Sequence, residues 1–170
     1  MKFDKLRILK VIFFTLIAVC GIFVGMFAHH VGATETYTNF KQRVVPVGAT
    51  FSVTISCRQE DQVKGWELKI AYNPAILKAI RVVEGNIFAD FPTFFSPNVN
   101  IDNANGTITK LYDLIVGKGF APKVGTFCTI QFVALRQGRS FVSLNDVGVC
   151  NDTQYIENTV STGFVYVMDW

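Results

Sequence analysis

The sequence predicts an all-β protein, a two-sheet β-sandwich or jelly roll, and three observations predict it. First, Phe51, Val53, Ile55 and Cys57 alternate with Ser52, Thr54 and Ser56, and Trp66, Leu68, Ile70 and Tyr72 alternate with Glu67, Lys69 and Ala71. That period of two places apolar side chains on one face of a strand and polar ones on the other. Second, Gly, Pro and Asn punctuate the chain at the spacing of short strands joined by turns. Third, no long stretch beyond residue 33 carries a helical period. A sheet with one apolar face needs the apolar face of a second sheet to bury it.

The elements follow in order. Residues 11–28, VIFFTLIAVCGIFVGMFA, carry no charge, and Lys2, Lys5, Arg7 and Lys10 precede them against a single Asp4. A basic head, an apolar run and the Val31-Gly32-Ala33 boundary describe a secretory signal peptide. The run is long for a signal and just long enough to span a bilayer. Residues 1–33 are therefore either a cleaved signal or a retained membrane anchor with its basic end inside. Both place the rest of the chain outside the cell. Residues 34–43, TETYTNFKQR, are polar and unpatterned and read as a linker, which leaves 44–168 as the domain.

In the domain, 51–57 and 66–72 are strands, and Asn73-Pro74 ends the second. Proline fixes its own φ and disfavours helix in the residue before it, so the chain turns there. Leu77–Val83 is a further strand, closed by Glu84-Gly85-Asn86. Residues 93–101 and 107–116 form a hairpin across Asn103-Ala104-Asn105-Gly106, because Asn-Gly tolerates the positive φ of a tight turn. Residues 127–136, 140–144 and 164–168 complete the set.

Charge narrows the function. The chain has 16 Lys and Arg against 13 Asp and Glu. Residues 1–33 hold four of the bases and one acid, so twelve of each remain. The pI of 8.7 belongs to the N-terminal segment, and no basic block that would bind nucleic acid survives beyond it. His29 and His30, the two histidines, lie at the same boundary. The domain then lacks a histidine base, which excludes triads and histidine metal sites. Glycoside hydrolysis needs two convergent carboxylates, and nothing in the sequence pairs Glu67, Glu84, Asp90, Asp102 or Asp113. The chain reads as a non-enzyme with no cofactor of its own. Asn98–Gly106 is rich in oxygen ligands but lacks the acidic spacing of a calcium loop, and a hairpin turn explains it. Cys57, Cys128 and Cys150 permit one disulfide in an oxidising exterior, or are buried small apolar residues. Asn105-Gly-Thr and Asn151-Asp-Thr fit the N-glycosylation pattern.

At this point the sequence resembles the cohesin domain family. The matching pieces are Val47-Gly-Ala-Thr-Phe-Ser-Val-Thr54, the corner Tyr72-Asn73-Pro74-Ala-Ile-Leu77, Gly85, and Phe94-Phe-Ser-Pro-Asn98 followed by Asp102–Ile108. Gly125-Thr-Phe-Cys-Thr-Ile-Gln-Phe132 and Gly163-Phe-Val-Tyr-Val167 complete them. Together they span about residues 43–168. The resemblance implies a jelly roll of about nine strands, related to carbohydrate-binding modules. It also implies a binding role: cohesins grip dockerins, calcium-loaded helical pairs on other proteins, and so assemble polysaccharide-degrading enzymes in cellulosomes or at cell surfaces. Calcium is then expected on the partner. The family's exposed Asn and Asp on the strand before the corner fall here on Gly65 and Glu67, and Asn73 stands where the family has Asp.

The candidate partner face comprises Glu67, Lys69, Lys110, Tyr112 and Asp113. Phe94 and Phe95 read as a plug at the end of the sandwich. Phe88 and Phe91 read equally as plug or as an exposed apolar patch for a partner, and Trp66 as core. The alternatives to dockerin binding are polysaccharide binding by the same fold, or a surface or filament subunit held by residues 11–28.

Overall fold

The computed structural model describes residues 34–169. The signal or anchor expected at 1–33 lies outside the described residues, as does Trp170. The described residues form eleven strands: β1 (Thr34–Thr38), β2 (Gln42–Pro46), β3 (Thr50–Arg58), β4 (Gly65–Ala71), β5 (Leu77–Glu84), β6 (Asn100–Asp102), β7 (Thr107–Leu114), β8 (Val124–Ala134), β9 (Gly138–Cys150), β10 (Asn158–Ser161) and β11 (Gly163–Met168). They form a five-stranded sheet, β10-β1-β3-β8-β5, and a six-stranded sheet, β2-β11-β9-β4-β7-β6.

Two breaks explain why about nine strands become eleven. The first and last strands each change sheet midway. β1 lies in the five-stranded sheet and β2 in the six-stranded one, and β10 and β11 divide likewise. The halves pair with each other in parallel, β1 with β10 and β2 with β11, whereas the remaining pairs are antiparallel.

Residues 34–38 are therefore a strand in the middle of a sheet, and the linker reading of 34–43 is corrected. The polar letters misled because Thr34, Thr36 and Thr38 face inward and are buried. A threonine hydroxyl can enter a core when it finds a partner. The Thr36 hydroxyl donates to Asn158 Oδ1 at 3.1 Å, and that of Thr38 to the Phe40 carbonyl at 2.7 Å.

The core lies between the sheets. Val53, Ile55, Ile130 and Phe132 come from the five-stranded sheet, and Trp66, Leu68, Ile70, Ile108 and Leu111 from the six-stranded one; all are buried. Aromatic rings span the gap. Trp66 stacks on Phe127 with centroids 4.8 Å apart, and Tyr72 meets Phe132 edge-on at 5.1 Å. Cys57 and Cys128 sit in this core as unpaired thiols, and Cys150 is also unpaired, so the disulfide is not formed and the apolar reading holds for the first two. Burial pushes the Cys57 thiol up to about 12, which leaves it inert as a nucleophile.

The Tyr72-Asn73-Pro74 corner carries the chain from the six-stranded sheet to the five-stranded one. Asn73 Oδ1 accepts the Ala75 amide at 3.0 Å, and its carbonyl accepts the amides of Ile76 and Leu77. Tyr72 donates its hydroxyl to Asn103 Oδ1 at 2.8 Å, and Asn103 bonds both the amide and the carbonyl of Ala79. The β6–β7 turn is thus welded to the start of β5. Gly106, at φ 67°, closes it: a Cβ there would stand 2.2 Å from the Tyr72 carbonyl oxygen. Asp102 anchors the same turn by accepting from the amides of Ala104 and Asn105, as a hairpin requires. Of the expected strand 93–101, only 100 and 101 lie in a regular strand, β6. The rest still follows β7, with the Phe94 amide on the Leu114 carbonyl and the Ser96 amide on the Tyr112 carbonyl, both at 2.9 Å.

Candidate functional site

The outer face of β9, β4 and β7 carries the exposed side chains singled out by sequence. On β4, Trp66, Leu68 and Ile70 point inward, so Gly65, Glu67 and Lys69 point outward. Cross-strand register sets Glu67 between Tyr112 of β7 and Gly148 of β9, and Gly65 between Leu114 and Cys150. Four of the predicted partner residues, Glu67, Lys69, Lys110 and Tyr112, therefore come together on one surface.

Two irregularities shape this surface. Lys110 has φ 55° and Asp146 has φ 46°, and the pairing of β4 with β7 and with β9 shifts register beside each. An extra residue in a strand re-aims the side chains around it. Ile108 points in, yet Lys110, two residues on, points out. Asp146 likewise projects outward and pairs with Lys69, Nζ to Oδ2 at 2.7 Å.

Two shallow depressions flank Glu67. One, of about 190 Å³, is lined chiefly by Gly65, Glu67, Tyr112, Leu114, Gly148, Cys150 and Tyr155. Two glycines on neighbouring strands let side chains lie close over its floor. A Cβ on Gly148 would stand 2.7 Å from the Tyr155 ring, and one on Gly65 would stand 3.0 Å from Cys150 Sγ. Tyr155, 65 % exposed as a whole residue, donates its hydroxyl to Glu67 Oε1 at 2.7 Å. The other depression, of about 340 Å³, is lined by Glu67, Lys69, Lys110, Tyr112 and Asp146 among others.

Three expectations for this region need correction. Asp113 follows Tyr112 in a regular stretch of β7, so it points the opposite way and is only 2 % exposed; it backs the face rather than lining it with its side chain. Phe88 is 1 % exposed and belongs to the core, while Phe91 is half-buried and packed against that core. The apolar-patch reading is thereby removed for Phe88 and reduced for Phe91. Phe95 packs on Trp66 as a plug, but Phe94 is 48 % exposed and stacks on Tyr112 at 6.2 Å, beside the face.

Sequence reasoning missed Tyr155, Leu114, Gly148 and Asp146. Tyr155 lies in a loop organised by Asn151, whose Oδ1 accepts from the amides of Thr153 and Gln154. Asn151-Asp-Thr is a turn signal, and it would have indicated a reversal that returns the chain to β9. Asp146 was hidden because its bulge breaks the alternation after Leu144.

Burial, then the nearby Glu84 carboxylate, push the Asp113 carboxyl up to about 7, against the pull of its bond from the Leu114 amide. A folded-state pKa above the unfolded 3.8 means that the native state holds a proton the unfolded state has lost. The contribution of this group to stability is therefore full below about pH 4 and is lost as pH rises through 7, by on the order of 1–4 kcal/mol. Asp113→Asn is expected to flatten that slope and to be more stable than the wild type at pH 8 in urea titrations. An unchanged slope would remove Asp113 as its source.

Elsewhere on the six-stranded sheet, Arg139 lies over Phe141 and Phe164, 4.5 and 4.3 Å from their centroids. These rings are crossed, Phe141 to Phe164 at 65° and Phe164 to Tyr166 at 90°, and so form no flat platform.

Fold and site together define a β-sandwich binding module with one contoured, charged sheet face. A family model described as Cohesin domain matches residues 39–166, and the chain belongs to the cohesin domain family. Solved structures agree on the fold. The chain is similar to a cohesin in a type II Cohesin-X-Dockerin complex from Acetivibrio cellulolyticus, with TM-score 0.69 and 15 % identity over 79 % of this chain and 99 % of that one. A type I cohesin from a cohesin–dockerin complex of Clostridium thermocellum gives 0.66 and 13 %, covering 81 % and 95 %. A non-cellulosomal cohesin from the archaeon Archaeoglobus fulgidus gives 0.64 and 13 %, covering 81 % and 93 %. Among curated proteins, none matches this chain in sequence.

Proposed function

We propose that this protein is a non-catalytic module that binds a dockerin-bearing protein outside the cell. The outer face of β9, β4 and β7 is the contact surface. The observation that carries this reading is the face itself: the strand that runs into the Tyr72-Asn73-Pro74 corner presents Glu67 outward between Tyr112 and Tyr155. Family membership supports it, as do similar cohesins solved with dockerins. Residues 1–33 deliver the domain across the membrane, as a cleaved signal or as an anchor. The partner supplies the calcium. Crossed rings around Arg139 weigh against a sugar-stacking platform.

The test is capture. Full-length chain, immobilised in mild detergent, is exposed to secreted proteins of its host with calcium and then washed with a chelator. Release of proteins carrying paired calcium loops supports the reading. Retention of soluble polysaccharide with no such protein released would replace it with carbohydrate binding.

A further inference from the structure

The cleavage boundary read from the sequence, Val31-Gly32-Ala33, ends at the residue before β1, so no spacer separates it from the sandwich. β1 is an interior strand, laddered to β10 on one side and to β3 on the other. Thr34, the residue just after the boundary, is fully buried and stands level with Asn158 of β10. Its carbonyl accepts the Thr159 hydroxyl at 3.4 Å. Thr36 and Thr38 are buried as well, and the Thr36 hydroxyl is tied to Asn158. A peptidase that takes its substrate as an extended strand needs free backbone groups on one edge and access to alternate side chains. In the folded domain residues 34–38 have both edges paired and every second side chain in the core. The sandwich and the peptidase therefore compete for the same strand.

The order of the chain sets when that competition ends. β3 follows β1 closely, but β10 comes from residues 158–161 of 170. β1 is enclosed on both sides only after nearly the whole domain has been delivered. A protease acts on the population in which its segment is open, and that population shrinks as the segment joins a cooperative core.

We propose that docking of β1 between β10 and β3 shuts the Ala33–Thr34 bond to signal peptidase, so that cleavage precedes folding and a chain that folds first keeps residues 11–28 as its anchor. The reaction is hydrolysis: water adds across the amide, Ala33 takes the new carboxylate and Thr34 the new amino group. The secreted and anchored forms are then two outcomes of one race between processing and folding, set by the missing spacer. This rests on the delivery role of residues 1–33 and is independent of what the outer face binds.

The test follows full-length chain diluted from urea into detergent micelles, with purified signal peptidase added after increasing delays. A Trp170→Phe background leaves Trp66 as the one tryptophan. Its ring, buried and stacked on Phe127, reports folding by fluorescence. N-terminal sequencing starting at Thr34 identifies the cut. The cleavage rate is expected to fall at least about tenfold, in step with refolding. A spacer of about six Gly and Ser residues between Ala33 and Thr34 moves the bond clear of β1 without altering the strand. That chain, once folded, should be cut about as fast as the unfolded one. Equal cleavage of folded and unfolded wild type would overturn the inference. So would a folded spacer chain as resistant as the wild type, because the protection would then come from the micelle and not from β1. An unfolded chain that is never cut would overturn it too, leaving residues 1–33 as a permanent anchor. Dockerin binding stands in each case.

Discussion

Phe132→Ala is expected to destabilise the domain by about 3–5 kcal/mol, the range for emptying a buried aromatic site. Phe132 is fully buried on β8. It stacks on Phe51 of β3 at 5.9 Å and takes the edge of Tyr72, from the opposite sheet, at 5.1 Å. The ring therefore contacts its own sheet and the facing one at once. Neither sheet can close the gap, since β8 and the facing β4 are each held by antiparallel ladders on both sides. The loss adds the transfer free energy of the ring to a cavity that the rigid layers cannot fill. Tyr72 would lose its packing while keeping its bond to Asn103, so the corner would weaken with the core. In urea titrations the midpoint should fall with an unchanged slope. The control is Phe141→Ala, a residue 50 % exposed on the outer face, which should cost far less. A loss below about 1 kcal/mol for Phe132→Ala would mean the two sheets do not pack through this ring.

Glu67→Lys is expected to weaken dockerin binding by roughly 30-fold to several-thousand-fold, the 2–5 kcal/mol lost when one member of a close charge pair is removed or reversed. Glu67 is exposed and supports no core contact, so the melting transition should stay nearly in place. The substitution also removes the acceptor of the Tyr155 hydroxyl, which frees that ring from the position it holds over Gly148. Calorimetric titration against a calcium-loaded dockerin module reads the effect. Lys78→Glu, an exposed change on β5 in the other sheet, should leave affinity unaltered. Equal loss from both would mean that net charge, and not this face, governs association.

Much of the fold was legible because alternation is strict where strands are regular. Residues 51–57 and 66–70 read correctly face by face, and Asn105-Gly106 read correctly as a turn. Legibility failed for three physical reasons. Inward hydroxyls on Thr34, Thr36 and Thr38 made an interior strand look like a linker. The sheet change between β1 and β2, and again between β10 and β11, splits single strands at points that hydropathy does not mark. Bulges at Lys110 and Asp146 reverse parity, so a pattern of period two loses the strand beyond them. The site was legible as far as β4 and the outward residues of β7. Asp113 lies on the expected strand but, next to Tyr112 in a regular stretch, faces the opposite way, where burial beside Glu84 favours its protonated form. Tyr155 lay beyond the strand pattern, since it arrives on the face through a loop, and the Asn151-Asp-Thr turn was the one signal that pointed to it.

The central claim is that the outer face of β9, β4 and β7 is where the partner binds. The measurement that tests it most directly is hydrogen exchange of the full-length chain with and without a calcium-loaded dockerin module. The account predicts new, chelator-reversible protection concentrated on β4, β7 and the 151–157 loop, including the amides of Glu67, Tyr112 and Tyr155. Protection centred on β3 and β8 in the five-stranded sheet, around Ser52, Thr54 and Gln131, would contradict it.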